Sequence, residues 1–224
     1  MANAAAAGRP VNIKELPVPD EELARQARAG SFDAFEALVL RYEIRIYRFV
    51  LQRCGHETDA REITQDTFVR VFQALGRYDP RHPFASWLFT IARNKAIDHH
   101  RRKPEESSET GPEQVDSEDP AELAARREDA SSIWEIARRE LSARQFEALW
   151  LRYAEEMPLS QVAKIQGMPQ TYVKVSLFRA RKTLARAWRQ RSEVQPFPAE
   201  ITKPPATGNP VKNTLQFRPL GHNP

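Results

Sequence analysis

The sequence predicts an all-α protein in which two small helical domains are joined by a flexible acidic linker. Apolar residues recur at helical spacing in two basic stretches, 20–103 and 131–192, and almost nowhere in the alternation typical of β-strands. Between these stretches, residues 104–129 contain ten acidic and two basic side chains. The chain has 224 residues and 41% hydrophobic content, which is enough for two modest cores.

The first domain, residues 20–103, is predicted to contain four helices. A short helix over 20–29 ends at Gly30, because glycine readily adopts the left-handed conformation found at helix ends. Ser31 is a good N-cap for a second, longer helix, which Gly55 closes. The inward stripe of this second helix contains Phe35, Leu38, Val39, Tyr42, Ile46, Phe49 and Val50.

The third helix is predicted to begin near Thr58 or Asp59 and to reach about Leu75. Asp59 and Glu62 have the three-residue spacing of a capping box. The face expected to be buried contains Ala60, Thr64, Phe68, Val71 and Leu75. A second face is acidic at its start and polar or basic at its end, with Asp59, Glu62, Asp66, Arg70 and Gln73 in order.

This acidic face allows more than one interpretation. Acids near a helix N-terminus and a base further along stabilise the helix dipole by about 0.3–1 kcal/mol each, without any partner. A metal site built from the three carboxylates is disfavoured, because the neighbouring sequence supplies neither further ligands nor an orienting histidine.

The fourth helix, "FASWLFTIARNKAIDHHRRK" at 84–103, follows the turn signal "YDPRHP". Its inward stripe is Phe84, Leu88 and Ile91. Trp87 and Phe89 do not fit on that stripe. Trp87, Thr90 and Asn94 instead share a neighbouring face, and Arg101 continues it toward the three cations at the helix end.

The second domain, residues 131–192, is also predicted to be helical. Helices are expected near 131–140, 142–155, 160–166 and 170–191. Ser142 and Gln145 form an S-x-x-Q capping box, and Ser160 is a candidate N-cap for the third of these helices.

The last two helices have the signature of a helix-turn-helix, in "LSQVAKIQGMPQTYVKVSLFRARKTLARAW". Ala163 lets the two helices approach each other, Gly167 permits the tight turn, and Pro169 suits the first turn of the second helix.

The inward stripe of the second helix is Val173, Leu177, Ala180, Leu184 and Trp188. Its outward face carries Val175, Arg179, Lys182 and Arg186, with Tyr172 and Phe178 at the flanks. A cationic outward ladder is typical of a helix inserted in the DNA major groove, although a solvated helix face would have the same pattern.

The remaining segments lack hydrophobic periodicity. Residues 1–19 are predicted to be a flexible extension, 104–130 a linker, and 193–224, with seven prolines, a disordered tail. The start has no apolar core of a signal peptide and no stretch approaches a membrane span, so we expect a cytoplasmic protein without membrane insertion. Cys54 is the sole cysteine and is expected to be a packed thiol, and the five histidines have no metal-binding spacing. We therefore expect neither a metal nor a cofactor.

Both domains together resemble a sigma subunit of bacterial RNA polymerase, in the compact extracytoplasmic-function (ECF) group that keeps only regions 2 and 4. The resemblance covers residues 20–103 and 131–190, and it rests on "DAREITQDTFVRVFQAL", "FASWLFTIARNKAID" and "LSQVAKIQGM" followed by "LFRARKTL". The order and spacing of these fragments, with an acidic linker between them, make the match specific.

The resemblance implies a role for each surface. The polymerase core, through its beta-prime clamp helices, would bind Asp59, Glu62, Gln65 and Asp66. The minus-ten promoter element would be opened and bound by Arg70, Ala74, Tyr78, Trp87, Asn94 and Arg101. The minus-thirty-five element would be bound by Tyr172, Lys174, Val175, Phe178, Arg179, Lys182 and Arg186. The beta flap of the core and an anti-sigma factor are further partners that the family implies.

Two points in these implied sites stay open. Trp87 is either a stacking surface at the edge of melted DNA or packing against the third helix. At 171–176 the chain lacks the Gly-Thr and Ser-Arg pairs common in the family, and Val175 can contact a thymine methyl but cannot donate a hydrogen bond.

The predicted function is therefore promoter-specific initiation of transcription, without catalysis by the chain itself. An alternative is a helix-turn-helix regulator whose first domain is a sensor or dimerisation domain. A less favoured alternative is a metal-dependent nuclease that uses the carboxylates of the third helix.

Overall fold

The computed structural model describes residues 18–102, 133–191 and Ile201, and the regular elements within them are all helical, as predicted. The helices are α1 (Asp20–Arg28), α2 (Phe32–Cys54), α3 (Glu57–Ala74), α4 (Phe84–Arg102), α5 (133–140), α6 (Ala143–Leu149), α7 (Leu159–Gln166) and α8 (Gln170–Arg191). We refer to α1–α4 as the N-terminal bundle and to α5–α8 as the C-terminal bundle. No helix in the described ranges is long and apolar enough to cross a membrane.

The long helix α2 lies at the centre of the N-terminal bundle and packs against α1, α3 and α4. Ser31 caps it as predicted, since its hydroxyl accepts a hydrogen bond from the backbone N–H of Ala34 at 3.3 Å. Gly55 ends it in the left-handed conformation, with φ 77°. Asp20 ties α1 to α2, because its carboxylate accepts hydrogen bonds from Arg41 and from the hydroxyl of Tyr42.

The start of α3 differs from the prediction. The helix begins at Glu57 with His56 as its N-cap, so the capping box expected at Asp59 and Glu62 is wrong. Asp59 already lies in the first turn, where its carboxylate is only 13% exposed and points toward His99 of α4. The predicted buried face is confirmed, and its members are Ala60, Thr64, Phe68, Val71 and Leu75.

Helix α4 is buried on more sides than its sequence predicted. Phe84 and Leu88 are fully buried as expected, but Phe89, which does not fit the inward stripe, is fully buried as well. Its ring lies 5.2 Å from that of Phe49 on α2. The reason is that α4 packs against α2 and α3 of its own bundle and also against α7 of the other bundle.

The C-terminal bundle contains the predicted capping box. The Ser142 hydroxyl accepts from the backbone N–H of Gln145, and the Gln145 side chain accepts from the backbone N–H of Ser142 at 3.1 Å. The helix expected over 142–155 is shorter, because Trp150–Ala154 form a π-helical turn after α6. In that turn the backbone N–H of Glu155 donates to the carbonyl of Trp150, five residues back, at 3.1 Å.

The helix-turn-helix of α7 and α8 is present, with two differences at the helix starts. Ser160 lies inside α7, which begins at Leu159 after Pro158 and has no side-chain cap, so Ser160 is not its N-cap. Pro169 precedes α8 rather than occupying its first turn, and its carbonyl accepts from the N–H groups of Tyr172 and Val173. The inward stripe of α8 is buried as predicted, at Val173, Leu177, Ala180, Leu184 and Trp188.

Three segments of the sequence analysis lie largely outside the described residues. They are the extension 1–19, apart from Val18 and Pro19, the linker 104–130 and the tail 193–224. Within the tail, Ile201 is described and is only 7% exposed, as part of the hydrophobic core. The expected disorder of the remaining tail residues falls outside the described residues.

Candidate nucleic-acid and protein interfaces

Three of the four α3 residues predicted to bind the polymerase core are exposed to solvent. Glu62, Gln65 and Asp66 are exposed, and the Asp66 side chain is 55% accessible. Asp59 is the exception, because it turns toward α4. We use the name acidic face for Glu62, Gln65 and Asp66 from here on.

One ion pair and one close approach between a histidine and a carboxylate connect α3 and α4. Lys95 Nζ lies 3.0 Å from an Asp66 carboxylate oxygen, and His99 Nε2 lies 3.9 Å from one of Asp59. The residue numbers rise along α3 as they fall along α4, so the helices are antiparallel. The acidic face and the cationic end of α4 consequently form neighbouring surfaces of the N-terminal bundle.

The residues predicted to bind the minus-ten element differ in how exposed they are to solvent. Arg70, Asn94 and Arg101 are exposed, and Ala74 is half-buried. In the antiparallel register, the stretch from Arg70 to Ala74 lies between the levels of Lys95 and Trp87 on α4. The exposed side chains of Arg70, Asn94 and Arg101 thus lie on the accessible surface of α3 and α4.

Tyr78 and Trp87, two further predicted residues, belong to an aromatic cluster with Phe84. Tyr78 is 2% exposed, and its hydroxyl donates to the carbonyl of His82 at 2.6 Å. Its ring centroid lies 5.0 Å from that of Trp87 and 5.5 Å from that of Phe84. Burial, with the carboxylates of Glu21 and Asp20 nearby, raises the pKa of Tyr78 to about 12. Tyr78 therefore lies under the surface in this conformation and supports Trp87 from below.

The side chain of Trp87 is half-buried, so it fits neither a fully exposed stacking surface nor a fully buried core residue. Its indole packs on Tyr78 and, at 5.8 Å between ring centroids, on Phe84. Trp87 therefore packs both against these two aromatic rings and against the core of the bundle. One part of the ring remains accessible, so stacking on a base is still geometrically possible.

The sequence analysis missed an apolar extension of the acidic face. Val69 and Phe72 of α3 are 44% and 53% exposed, and Phe32 at the start of α2 is 50% exposed. The Phe72 ring lies 5.1 Å from that of Phe35. The sequence did contain a signal for this apolar surface, because all three side chains lie outside the inward stripes of their helices. Exposed aromatic surface beside carboxylates is typical of a protein-binding site.

The predicted minus-thirty-five residues form one outward surface of α8. Gly167 makes the turn before it in the left-handed conformation, with φ 63°. Tyr172, Val175 and Phe178 are 64%, 48% and 69% exposed, which is unusual for such large apolar side chains. The cations on this helix are exposed too, namely Lys174, Arg179, Lys182 and Arg186. The surface can therefore offer apolar contacts to base methyl groups and cations to phosphates.

A groove of about 570 Å³ runs beside this surface, between α8 and the segment that precedes α7. It is lined by Arg152, Tyr153, Leu159, Lys174, Leu177, Phe178, Arg181, Lys182 and Ala185. The Arg152 guanidinium donates to the carbonyl of Met157 at 3.0 Å and so fixes one wall. An apolar floor with a cationic rim is chemically suited to an acidic amphipathic segment.

Two family models match the chain. The model of Sigma-70 region 2 matches residues 38–105, and the model of Sigma-70, region 4 matches residues 126–184. The first covers most of the N-terminal bundle, and the second covers the C-terminal bundle up to Leu184.

Curated relatives point to the same family. The ECF RNA polymerase sigma factor SigK of Mycobacterium sp. (strain KMS) is 31% identical over 167 residues, which is 70% of this chain and 83% of that protein. BldN of Streptomyces coelicolor, also an ECF sigma factor, is 29% identical over 74% of this chain. The chain spans 64% of the length of BldN. The RNA polymerase sigma-H factor of Pseudomonas aeruginosa is 26% identical over 75% of this chain, and the match covers 93% of that protein.

Solved structures share the fold. CnrH in complex with the cytosolic domain of CnrY is 29% identical, with a TM-score of 0.58, over 77% of this chain and 99% of that one. The sigma factor RpoE of Bartonella quintana, solved with the anti-sigma factor NepR, is 23% identical with a TM-score of 0.53, over 69% and 96% of the two chains. The matched regions, the order of the two bundles and the surfaces they carry lead to one assignment: the chain belongs to the ECF group of the sigma-70 family of RNA polymerase sigma factors.

Proposed function

We propose that this chain directs core RNA polymerase to a specific set of promoters and helps to open them, without carrying out chemistry itself. The observation that supports this most is the presence, in one chain, of an acidic helix face, an aromatic and amide surface, and a cationic helix-turn-helix. A regulator that only binds DNA would need the last of these alone.

The acidic face is the proposed contact with the beta-prime clamp helices of the core. Its exposed carboxylates suit a cationic partner surface, and Val69 and Phe72 beside them supply apolar area. The ion pair of Asp66 with Lys95 is solvent-exposed and contributes about 0–1 kcal/mol, so it is readily exchanged for a partner's cation. Asp59 belongs to the site by resemblance but would act mainly by holding His99 and α4 in place.

The surface between α3 and α4 is the proposed minus-ten site. Asn94 can hydrogen-bond the edge of an unstacked base, and Arg70 and Arg101 can hold the phosphates on either side. Trp87 offers a stacking ring that Tyr78 holds in place from beneath. The small side chain of Ala74 would leave room for a base beside them.

The outward face of α8 is the proposed minus-thirty-five site. Its first turns would lie in the major groove, with Val175 against a thymine methyl, and its later cations would contact phosphates. Because Val175 cannot donate a hydrogen bond, we expect specificity to depend strongly on Arg179 and Lys174. The beta flap of the core is the proposed partner of the C-terminal bundle.

An anti-sigma factor is a further proposed partner. The family resemblance suggests it, and the similar CnrH was solved in complex with the cytosolic domain of a second protein. The proposed location is the cytoplasm, where both the polymerase and the promoters are found.

The test is transcription with purified components. Core polymerase together with the protein should yield transcripts from a limited set of genomic fragments, with a shared sequence pair upstream of their start sites. Core polymerase alone is the control and should yield none of them. Failure to associate with a core that binds another sigma factor would contradict the proposal, as would tight duplex binding by the isolated protein.

A further inference from the structure

Helix α8 carries a strip of exposed apolar side chains. Phe178 and Tyr172 are the two most exposed large apolar residues of the described ranges, at 69% and 64%, and Val175 between them is 48% exposed. The three residues follow one another at i, i+3 and i+6 in the first turns of the helix. We call them the apolar strip. Large apolar side chains grouped on a surface mark a site that a partner covers.

The packing of α8 holds the apolar strip outward. Val173 and Leu177, which alternate with the strip along the helix, are buried, and α8 packs against α6 and α7. A rotation of α8 that buried the strip would bring these two core residues into water, at a cost in apolar burial. The strip is therefore a constant surface of the folded C-terminal bundle.

The charge of α8 favours a nucleic-acid partner for the strip. Over Gln170–Arg191 the helix contains seven lysine or arginine residues and no carboxylate. Lys182 and Arg186 are exposed and lie on the same side of the helix as Val175. They are seven and eleven positions further along, which is about 10 and 16 Å along the axis. Cations at these distances can contact the phosphates beyond the base pairs that the strip touches.

The spacing of the strip matches that of stacked base pairs. From Tyr172 to Phe178 the helix rises about 9 Å, at about 1.5 Å per residue. Successive base pairs are about 3.4 Å apart, so the strip spans about three of them. At about 3.6 residues per turn, the strip also covers about a third of the helix circumference, with Val175 at its centre. Its side chains can therefore face the floor and both sides of a major groove that admits one helix.

Thymine is the base that such a strip can recognise. Its C5-methyl is an apolar group in the major groove, whereas guanine and unmodified cytosine offer hydrogen-bond acceptors and donors there. The side chains of Val175 and Phe178 cannot form hydrogen bonds. Packed against a G·C pair, they would leave those polar groups unpaired and shielded from water, which is unfavourable. The strip thus matches adjacent A·T pairs better than G·C pairs.

We propose that the apolar strip selects promoters by the methyl groups of thymines at adjacent positions of the minus-thirty-five element. This inference rests on the function proposed above and adds to it the base that α8 reads. Lys174 and Arg179, beside the strip, can supply the hydrogen bonds that the strip cannot. The chain should therefore distinguish thymine from uracil, because the two bases have the same hydrogen-bonding groups and differ only in the C5-methyl.

Replacement of thymine by uracil in the minus-thirty-five element tests the proposal. Core polymerase and the full-length protein are titrated onto a labelled promoter that the transcription assay identifies, with thymine or deoxyuridine in that element. Fluorescence anisotropy gives the concentration for half-maximal binding. Deoxyuridine should raise this concentration about fourfold for each methyl that the strip covers. Deoxyuridine placed only in the spacer between the two elements is the control for the DNA and should leave it unchanged.

Variants of the strip connect the effect to these side chains. Val175→Ser and Phe178→Ser replace exposed apolar side chains, so the fold should persist. Each should lower the ratio of the concentrations measured with uracil and with thymine, and together they should bring it close to one. Ile44→Ser, at an apolar residue of α2 that is 37% exposed, is the matched control and should keep the full ratio. Tyr172→Ser replaces either variant if its helical circular dichroism is lost.

The outcomes separate methyl recognition from the proposed function. Equal binding of the thymine and uracil promoters by the unchanged protein would overturn methyl recognition and leave the proposed function in place. If Val175→Ser with Phe178→Ser weakens binding but keeps the full ratio, the strip contacts something other than methyl groups, and the proposal is again wrong.

A second assay applies if no fragment supports transcription. The proposed function is then wrong, and selection of duplexes from a random pool by the full-length protein alone tests the strip. The enriched duplexes should share adjacent A·T pairs and should bind less well when they are copied with uracil. No enrichment, or enrichment that is indifferent to uracil, would contradict methyl recognition.

Discussion

At the residue scale, the two bundles hold their carboxylates in opposite environments. Asp66 of α3 is 55% exposed and pairs with one lysine at the surface, whereas Glu147 of α6 is 4% exposed between two arginines. An exposed pair contributes about 0–1 kcal/mol and is easily exchanged. A buried one becomes unfavourable when a single partner is removed. Asp66 is accordingly suited to bind an external partner, and Glu147 to hold an internal contact.

The first residue-scale prediction concerns Asp66. Asp66→Arg should weaken binding to core polymerase at least about tenfold, because it places like charges against the cationic partner that we propose. The fold should persist, since the side chain is exposed. Fluorescence anisotropy of labelled protein titrated with core measures the affinity. Asp98→Arg, an equal charge change at an exposed site of α4, is the control. Equal affinities for the two variants would contradict the assignment of the acidic face.

Asn94 is the subject of the second prediction. Asn94→Ala should reduce promoter opening at least about fivefold while core binding changes little, because a lost base contact costs about 1–3 kcal/mol. The fluorescence of 2-aminopurine placed in the minus-ten element reports the opening, and anisotropy reports core binding. Equal losses in both measurements would indicate misfolding and count against a role in base capture.

Tyr78 gives a prediction for alkaline pH. Its pKa is raised to about 12 in the folded chain, against about 10 when unfolded. The folded state therefore retains the proton longer, and the stability that it contributes is complete below pH 10 and lost as the pH rises toward 12. Urea unfolding should show a smaller loss of stability between pH 9 and 11.5 for Tyr78→Phe than for the unchanged protein. A loss of equal size would show that Tyr78 is not held in this environment.

At the element scale, local patterns predicted helices well and predicted their first residues poorly. The stripe on α8 and the capping box of α6 depend on neighbouring residues, so the sequence contained what was needed. Helix α4 instead has its Phe84 N–H bonded to Glu21, 63 positions away, at 3.1 Å. The ring of Phe89 is buried against that of Phe49 on α2, forty positions away, with 5.2 Å between the ring centroids. Such contacts between distant segments have no signal in a local window.

The candidate sites divide in the same way. The exposed side of α8 follows from helical periodicity, and so do Glu62, Gln65 and Asp66 on α3. The positions of Asp59 and Tyr78 do not. Asp59 is turned toward His99 of α4, and the ring of Tyr78 packs against Phe84 and Trp87 of α4. Periodicity identifies the outer face of an isolated helix, but not what the rest of the fold later covers.

The turn between α7 and α8 gives a prediction about stability. Gly167 has φ 63°, and an added Cβ would meet nothing within 4 Å, so backbone strain is the only penalty for a side chain. Gly167→Ala should lower the free energy of unfolding by about 1–2 kcal/mol. Gly76→Ala is the control, since Gly76 has equally open surroundings and no left-handed backbone. Similar urea midpoints for the two variants would contradict this account of the turn.

At the scale of the whole molecule, the two bundles present different chemistry. The N-terminal bundle exposes carboxylates, which we propose bind the polymerase core, and an amide beside a half-buried indole, which we propose binds DNA, while the C-terminal bundle exposes cations that we propose bind duplex DNA. The net charge of the chain is only +4, so we expect this division of surfaces, and not a general basic character, to direct the proposed partners. The chain is expected to act on a promoter only when both bundles and the core are assembled.

The most direct test of this account is permanganate reactivity of thymines in the minus-ten element of a promoter that the transcription assay identifies. Permanganate oxidises unstacked thymines, so reactivity reports opening. The account predicts reactivity when the protein and core polymerase are present together, strong loss of it with Asn94→Ala or Asp66→Arg, and none with either component alone. Opening by core polymerase alone, or full opening with both variants, would contradict it.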